Sequence, residues 1–242
     1  MKVSKLLVGI PALLCAMLFV SNAFADVVTV ANPSFETLPA GGLPYGSCGA
    51  GCSFSEITST DGIPGWTTSA TGFIGQFQPG SSSGNFAWFN YVPDGTTVAY
   101  SDIAGSTIYQ QVGPVLNGET YTLQVDIGAR NDTGVNSFLG SADLMLGSIV
   151  CPAIGTPPSP GNWSVYTATC TDTSWSPTDN ITIQLNTSLP PYPIVGQGDF
   201  DNVGLTDNLS TSPIPEPSSL TLFGSGLLAM AYLLRRKRVA QS

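Results

Sequence analysis

The segment ETYTLQVDIG, Glu119 to Gly128, alternates without a break. Tyr121, Leu123, Val125 and Ile127 fall on one side of an extended chain, and Thr122, Gln124 and Asp126 fall on the other. An apolar period of two is that of a half-buried antiparallel strand. NITIQLN, from Asn180, repeats the pattern with Ile181, Ile183 and Leu185. Further strand candidates are VVTVA from Val27, TGFIGQF from Thr71, FAWFNY from Phe86, TVAYSDI from Thr97, TIYQQV from Thr107, SADLML from Ser141, WSVYTATC from Trp163 and FDNVGLT from Phe200. Turn clusters such as LPAGGLPYG, PGSSSGN, VPDGT, LNGE and TPPSPGN separate them, rich in the residues that tight turns require. No segment of this middle region carries a helical apolar stripe. The expected class is all-β, a twisted two-sheet sandwich of eight to ten strands.

Both ends of the 242-residue chain read differently. Residues 1–25 carry Lys2 and Lys5, an apolar run from Leu6 to Val20, and the small-x-small site Ala23-Phe24-Ala25. This is the layout of a secretory signal peptide. Residues 26–207 then form the sandwich domain, and 208–217 a Pro/Ser linker. Residues 218–234 form a short uncharged helix of transmembrane character, and 235–242 a basic cytoplasmic tail. At about 1.5 Å per residue that helix spans roughly 25 Å, against about 30 Å of hydrocarbon. The basic cluster Arg235, Arg236, Lys237 and Arg238 would hold its end on the cytoplasmic side.

Charge narrows the functions open to the middle. Between residues 26 and 207 fifteen acidic residues face a single basic one, Arg130, a net charge of about −14. Such a field repels phosphate backbones and argues against nucleic acid as a partner. Arg130 has two readings: an ion pair with Asp126 or Asp132, or a clamp on a ligand carboxylate. Four cysteines remain after the signal peptide, namely Cys48, Cys52, Cys151 and Cys170. Locality favours a Cys48–Cys52 loop and a Cys151–Cys170 bridge between the ends of neighbouring strands. Zinc is disfavoured, because the chain has no histidine and no paired CxxC knuckles. Without histidine, without lysine in the domain and without a spare thiol, the common nucleophile–base pairs cannot assemble. Two carboxylates could still hydrolyse a glycoside, but no spacing selects a pair. The expectation is therefore a protein that is not an enzyme.

NPSFE at Asn32–Glu36, GWT at Gly65–Thr67, YQQVGPVLNGETYTLQVDIGAR at Tyr109–Arg130, NWSVYTAT at Asn162–Thr169 and GDFDNVGL at Gly198–Leu205 occur in one order along the chain. In that order they resemble the jelly-roll domains of the galactose-binding-like superfamily, which includes many carbohydrate-binding modules. The resemblance implies a jelly-roll sandwich. It implies a structural calcium ion held by Glu36 and Asp201, with Asn32 or Asp199 as further donors. It also implies a sugar platform, for which Trp88, Asn90 and Tyr91 are the candidates, while Trp66 and Trp163 read as packing residues.

The tail carries the second resemblance. Pro215-Glu216-Pro217, the apolar stretch with Gly224 and Gly226, and the basic end resemble the PEP-CTERM sorting signal of Gram-negative, exopolysaccharide-producing bacteria. This implies processing by an exosortase-like enzyme at the inner membrane, followed by delivery to the cell surface or extracellular matrix. The combined expectation is an exported, non-catalytic surface protein associated with exopolysaccharide or another surface glycan. The alternative is a carbohydrate-binding module with a defined glycan ligand.

Overall fold

The computed structural model describes residues 26–46, 52–57, 62–82, 85–86, 88–131, 139–172, 176–188 and 196–208. The expected signal peptide, Cys48, Asp132, the PEP tripeptide, the apolar stretch 218–234 and the basic end all lie outside these residues. No described residue is helical, and fourteen strands carry the structure. Those in the first half are β1 (Asp26–Val28), β2 (Ser53–Phe54), β3 (Thr67–Thr68), β4 (Ile74–Gln78), β5 (Ser81–Ser82), β6 (Asn85–Phe86) and β7 (Val98–Ser101). The longer ones follow: β8 (Thr107–Pro114), β9 (Thr120–Gly128), β10 (Gly140–Leu146), β11 (Ile149–Pro152), β12 (Trp163–Thr171), β13 (Asn180–Thr187) and β14 (Gly198–Asn208).

They form two antiparallel sheets face to face, the expected all-β jelly-roll sandwich. One sheet has seven strands in the order β12-β9-β14-β7-β4-β2, with β1 also paired to β14. The other has five, in the order β11-β10-β13-β8-β3, and β5-β6 is a separate two-residue hairpin. The two stretches with the cleanest alternation bury the faces expected of them. Leu123, Val125 and Ile127 of β9 and Ile183 and Leu185 of β13 are fully buried between the sheets. Burying each such side chain stabilises the fold by about 1.5–3 kcal/mol.

One expectation changes, and two details go beyond the sequence reading. FAWFNY does not run as one strand: Phe86 ends β6, and Trp88–Asn90 are not strand. Residues 88–90 lie instead against the ends of β9 and β12. Phe89 packs on Trp163 with ring centroids 4.6 Å apart, and the backbone is tied to Gly161 and Asn131. The short strands β2, β3 and β5 carry too few residues for a period to show. The Cys151–Cys170 disulfide forms as expected, with Cα atoms 5.7 Å apart, and it joins β11 of one sheet to β12 of the other. It is a bolt between layers. A loop of that size adds about 3 kcal/mol by restricting the unfolded chain. Cys52 is disulfide-bonded as well, and its expected partner Cys48 lies outside the described residues.

Candidate functional site in the outer face of the seven-stranded sheet

The outer face of the larger sheet is not an ordinary solvent face. It carries a second apolar cluster of Cys52, Phe77, Phe89, Val98, Tyr100 and Trp163, with Phe54, Trp88 and Val92 packed against it. Cross-strand partners share a face, so the register places Asp199 beside Tyr100 on one flank and Gly128 on the other. Gly128 has a steric reason to be glycine. A Cβ there would meet Phe89 and Trp163 at 2.9 Å, so the aromatic cover can lie directly on the strand.

One irregularity in β14 decides which way its acids point. Pairing with β9 runs Phe200 to Ile127 and Asp201 to Asp126, then resumes at Gly204 to Gln124, one residue out of step. The bulge holds Asn202 at φ 49°. Val203 and Leu205 therefore face the core as Phe200 does, while Gln197, Asp199 and Asp201 follow one another along the outer side. Asp199 and Asp201 are both fully buried there.

Next to this row lies a cavity of about 130 Å³ lined by Phe54, Phe73, Phe77, Tyr100, Asp102, Arg130 and Gln197. Phe54 and Phe77 each meet Tyr100 edge-on at 6.2 Å. Arg130 lies over the Trp88 ring, 4.4 Å from its centroid, and 5.8 Å from that of Phe77. Its Nη1 donates to Gln197 Oε1 at 2.5 Å. Asp126, one of its two expected partners, instead accepts a hydrogen bond from the Asn202 amide at 3.0 Å. The Tyr100 hydroxyl donates to the Ser55 carbonyl at 2.8 Å. Burial, then Asp102, Glu56 and Asp199, push its pKa far above the ordinary phenol value against a smaller opposing effect of Arg130. Tyr100 is thus a fixed hydrogen-bond donor.

The residues expected to bind calcium divide into two groups. Glu36 and Asp201 converge on the loop 94–97 from the first and last strands' ends. Glu36 Oε1 accepts the Thr96 and Thr97 amides at 2.8 and 2.6 Å, and Asp201 Oδ2 accepts the Asp94 amide at 3.0 Å. Gly95, at φ 72°, is required there because a Cβ would run into the Glu36 carboxylate. Burial pushes the Asp201 carboxyl up to about 8, against the lowering effect of the two amides it accepts. A hard cation held by this carboxyl would take its other oxygens from backbone carbonyls. Among the described residues no three acidic, histidine or cysteine groups form a metal cluster. Asn32 serves the turn instead, with its side chain bonded to Thr37 and to the Pro64 carbonyl. Asp199 lies beside Tyr100, away from that loop.

Of the glycan candidates, Trp88 has one ring face under Arg130. Asn90 donates to Asn162 at 3.1 Å, and Tyr91 is exposed while its carbonyl accepts Trp163 Nε1. Trp66 and Trp163 are buried packing residues, as expected. Tyr100, Phe77, Phe54 and Gln197 escaped the sequence reading. The signal present was the register between TVAYSDI and GDFD, which brings Tyr100 beside Asp199, and no single segment shows it.

The sequence profile described as HpiC1-like, HpiC1 cyclase, matches residues 26–206. A PEP-CTERM protein-sorting motif matches residues 213–238. That motif implies export with membrane-associated sorting in Gram-negative bacteria and processing by an exosortase-like enzyme. Comparison with curated protein sequences finds no match. Among solved structures, the Stig cyclase Fisc from Fischerella sp. TAU in complex with (3Z)-3-(1-methyl-2-pyrrolidinylidene)-3H-indole is 22% identical. Its TM-score is 0.57, and the alignment covers 76% of this chain and 98% of that one. A cyclase from the same source in complex with 4-(1H-indol-3-yl)butan-2-one has 22% identity, TM-score 0.54 and the same coverages. An apo cyclase from Fischerella sp. has 23% identity and TM-score 0.54, covering 76% of this chain and 96% of that one. These likenesses establish the shared fold. The profile match overturns the expectation of a non-catalytic surface or glycan-binding protein, which rested on the missing histidine and lysine. Over residues 26–206 the chain belongs to the HpiC1 cyclase family.

Proposed function

We propose that the protein is a cyclase that closes a ring on a flat aromatic substrate by acid catalysis, with Asp199 as the proton donor. The observation that carries the reading is Asp199 itself: a fully buried carboxyl on the outer side of β14, beside Tyr100 and under aromatic cover. Acid–base groups in this domain come from a short menu. It has no histidine and no lysine, and Cys52, Cys151 and Cys170 are held in disulfides. Carboxyl groups are what is left to move a proton.

The step is an isomerisation. Asp199 gives its proton to an unsaturated centre of the substrate, leaving a carbocation or iminium next to the ring faces of Phe77, Tyr100 and Phe54. Such faces attract positive charge. The aromatic ring of the substrate supplies the electron pair for the new carbon–carbon bond, and the Asp199 carboxylate takes back the proton that this ring sheds. Atoms and electrons balance without an oxidant or reductant. The indole ligands named for the Fischerella cyclases support an indole-sized ring as the substrate class. A structural calcium anchored by Glu36 and Asp201 would supply rigidity to the loop 94–97 and no chemistry. The PEP-CTERM motif supports a place of action at the cell surface or outside the cell.

The test is single-turnover assay of the full chain with 3-substituted indoles bearing an alkene arm, analysed by mass and NMR. A product of unchanged mass with one new ring supports the reading. No conversion by wild type across the series, or equal conversion by Asp199→Asn, would sink it.

A further inference from the structure

We infer that the cavity encloses only the reacting end of its substrate, and that Phe73 is the residue that reads the part left outside. The inference deepens the cyclase reading and rests on it. Its first support is size. The cavity holds about 130 Å³, whereas pockets that enclose a whole small molecule run from about 300 Å³ upward. A fused bicyclic ring with an arm does not fit inside, so one end of it lies at the mouth. Asp199 is the register partner of Tyr100, which lines the cavity. Under the cyclase reading, the end that takes the proton is therefore the end inside.

Phe73 stands at that mouth. It directly precedes β4, and it lines the cavity together with Phe77 of that strand. Phe77 is 4% exposed and Phe73 55%, so one forms the floor and the other the rim. Phe77 and Phe54 both meet Tyr100, and Tyr45 covers Phe54 at 5.3 Å. Among the described residues no ring pair includes Phe73. An exposed ring on its own means little, but this one borders a cavity on a fixed backbone. Its carbonyl accepts the Asp102 amide at 2.9 Å, and Gly72 exchanges backbone hydrogen bonds with Ile57 at 2.8 and 3.1 Å. Gly72 has φ 110°, which glycine alone adopts readily, and Ile74 on the other side is fully buried. The ring is held in place before any ligand arrives, and little ordering remains to be done on contact.

What a rim phenylalanine recognises is flat and apolar. The outer carbocycle of an indole-sized bicycle meets that description, and one offset or edge-on ring contact changes affinity by about threefold to tenfold. A single-ring substrate reaches the acid without making the contact. A polar group on the far edge of the outer ring stays in water and is tolerated. The ring contact exists before the proton moves and is unchanged afterwards, so it acts on binding and leaves the chemical step alone.

The test uses the full chain and two ketones with the same arm: 4-(1H-indol-3-yl)butan-2-one and 4-(1H-pyrrol-3-yl)butan-2-one, which lacks the outer ring. Binding is measured calorimetrically on wild type, Phe73→Leu and Phe73→Ala, with thermal melts to check folding and light scattering to follow association. Phe73→Ala should weaken the indole about threefold to tenfold and leave the pyrrole within about twofold, and Phe73→Leu should fall between. For any indole that wild type cyclises, KM should rise by the same factor while kcat holds. Equal weakening of both ketones, or of neither, overturns the inference while the cyclase reading stands. A wild-type dimer that Phe73→Ala splits also overturns it, by assigning the exposed ring to a second copy. If neither ketone binds folded wild type, the cyclase reading falls and the inference with it. Should the alanine variant fail its melt, Phe73→Leu decides alone, and an indole affinity equal to that of wild type sinks the proposal.

Discussion

The two outer faces of the sandwich cover the same shared core and could hardly differ more. On the five-stranded sheet, Ser69, Thr107, Tyr109, Gln111, Met145, Thr182 and Gln184 line an open groove of about 300 Å³. Its polar members sit in register across β8 and β13, Tyr109 opposite Gln184 and Gln111 opposite Thr182. Hydroxyls and amides at two-residue spacing are what a half-buried strand turns toward water by default. On the seven-stranded sheet, the outward positions carry rings and fully buried carboxyls under a cover of segments 52–57 and 88–97. Burying a carboxyl costs several kcal/mol unless something compensates it. The covered face takes that cost at Asp199 and Asp201, and the open face presents hydroxyls and amides instead.

The sharpest way to break the comparison is to remove one carboxyl from the covered face. Asp199→Asn should lower turnover by about two to four orders of magnitude while leaving the melting temperature within a few degrees. Gln184→Ala on the open face should change neither. Equal losses from the two variants would erase the distinction drawn between the faces.

Next in size is the bolt between the layers. Replacing Cys151 and Cys170 by serine should cost about 3 kcal/mol, read as a fall in Tm of roughly 6–12 °C for a domain of this size. Activity at low temperature should survive, because the bridge lies at β11 and β12 and Asp199 lies on β14. If calcium is held by Glu36 and Asp201, adding it at about one hundred times its Kd should raise stability by about 2.7 kcal/mol. Glu36→Ala should abolish that gain. An unchanged melt in calcium and in chelator would remove the ion from the account.

The smallest effect belongs to the open face. Asp143 accepts a hydrogen bond from Asn186 at 2.8 Å. Burial raises its pKa above 3.8, and the Asn186 contact offsets only part of that rise. A carboxyl whose folded pKa is raised favours the folded state at low pH, and that contribution is lost as pH climbs through the raised value. Asp143→Asn should therefore gain stability relative to wild type between acid and neutral pH. Urea midpoints at about pH 4 and about pH 7 check the sign.

How much of this was legible depended on the range of the signal. Alternation in Glu119–Gly128 and Asn180–Asn186 is local, and both strands lie where the pattern puts them. The sandwich followed because no rival period competed. FAWFNY misled because rings on both sides of a segment describe a doubly buried strand and a wedge equally well, and only Gly128 tells them apart by making room for Phe89 and Trp163. The resemblance to galactose-binding-like modules gave Asp199 and Asp201 one shared role, as calcium donors. Their separation depends on Tyr100, which stands beside Asp199, and on Asp94, whose amide donates to Asp201, about one hundred residues upstream. The missing histidine and lysine were read as missing catalysis, although a carboxyl and a set of ring faces are a sufficient kit for moving one proton.

The bulge at Asn202 makes the covered face possible in a way that bears on how such a site could be gained or lost. Counting back from Leu205 in strict alternation, residues 203, 201 and 199 would all turn inward. The single surplus residue reverses the two acids and leaves Val203 where it was. Inserting one more residue between Asp201 and Val203, with the strand still carrying a single bulge, would change no side chain of the cavity wall, yet it would drive two carboxyls into the apolar interior and strip the outer face of its acid. In this strand, function is inherited as a count of residues as much as a choice of them, and an alignment that scores only identities would pass over the change that matters most.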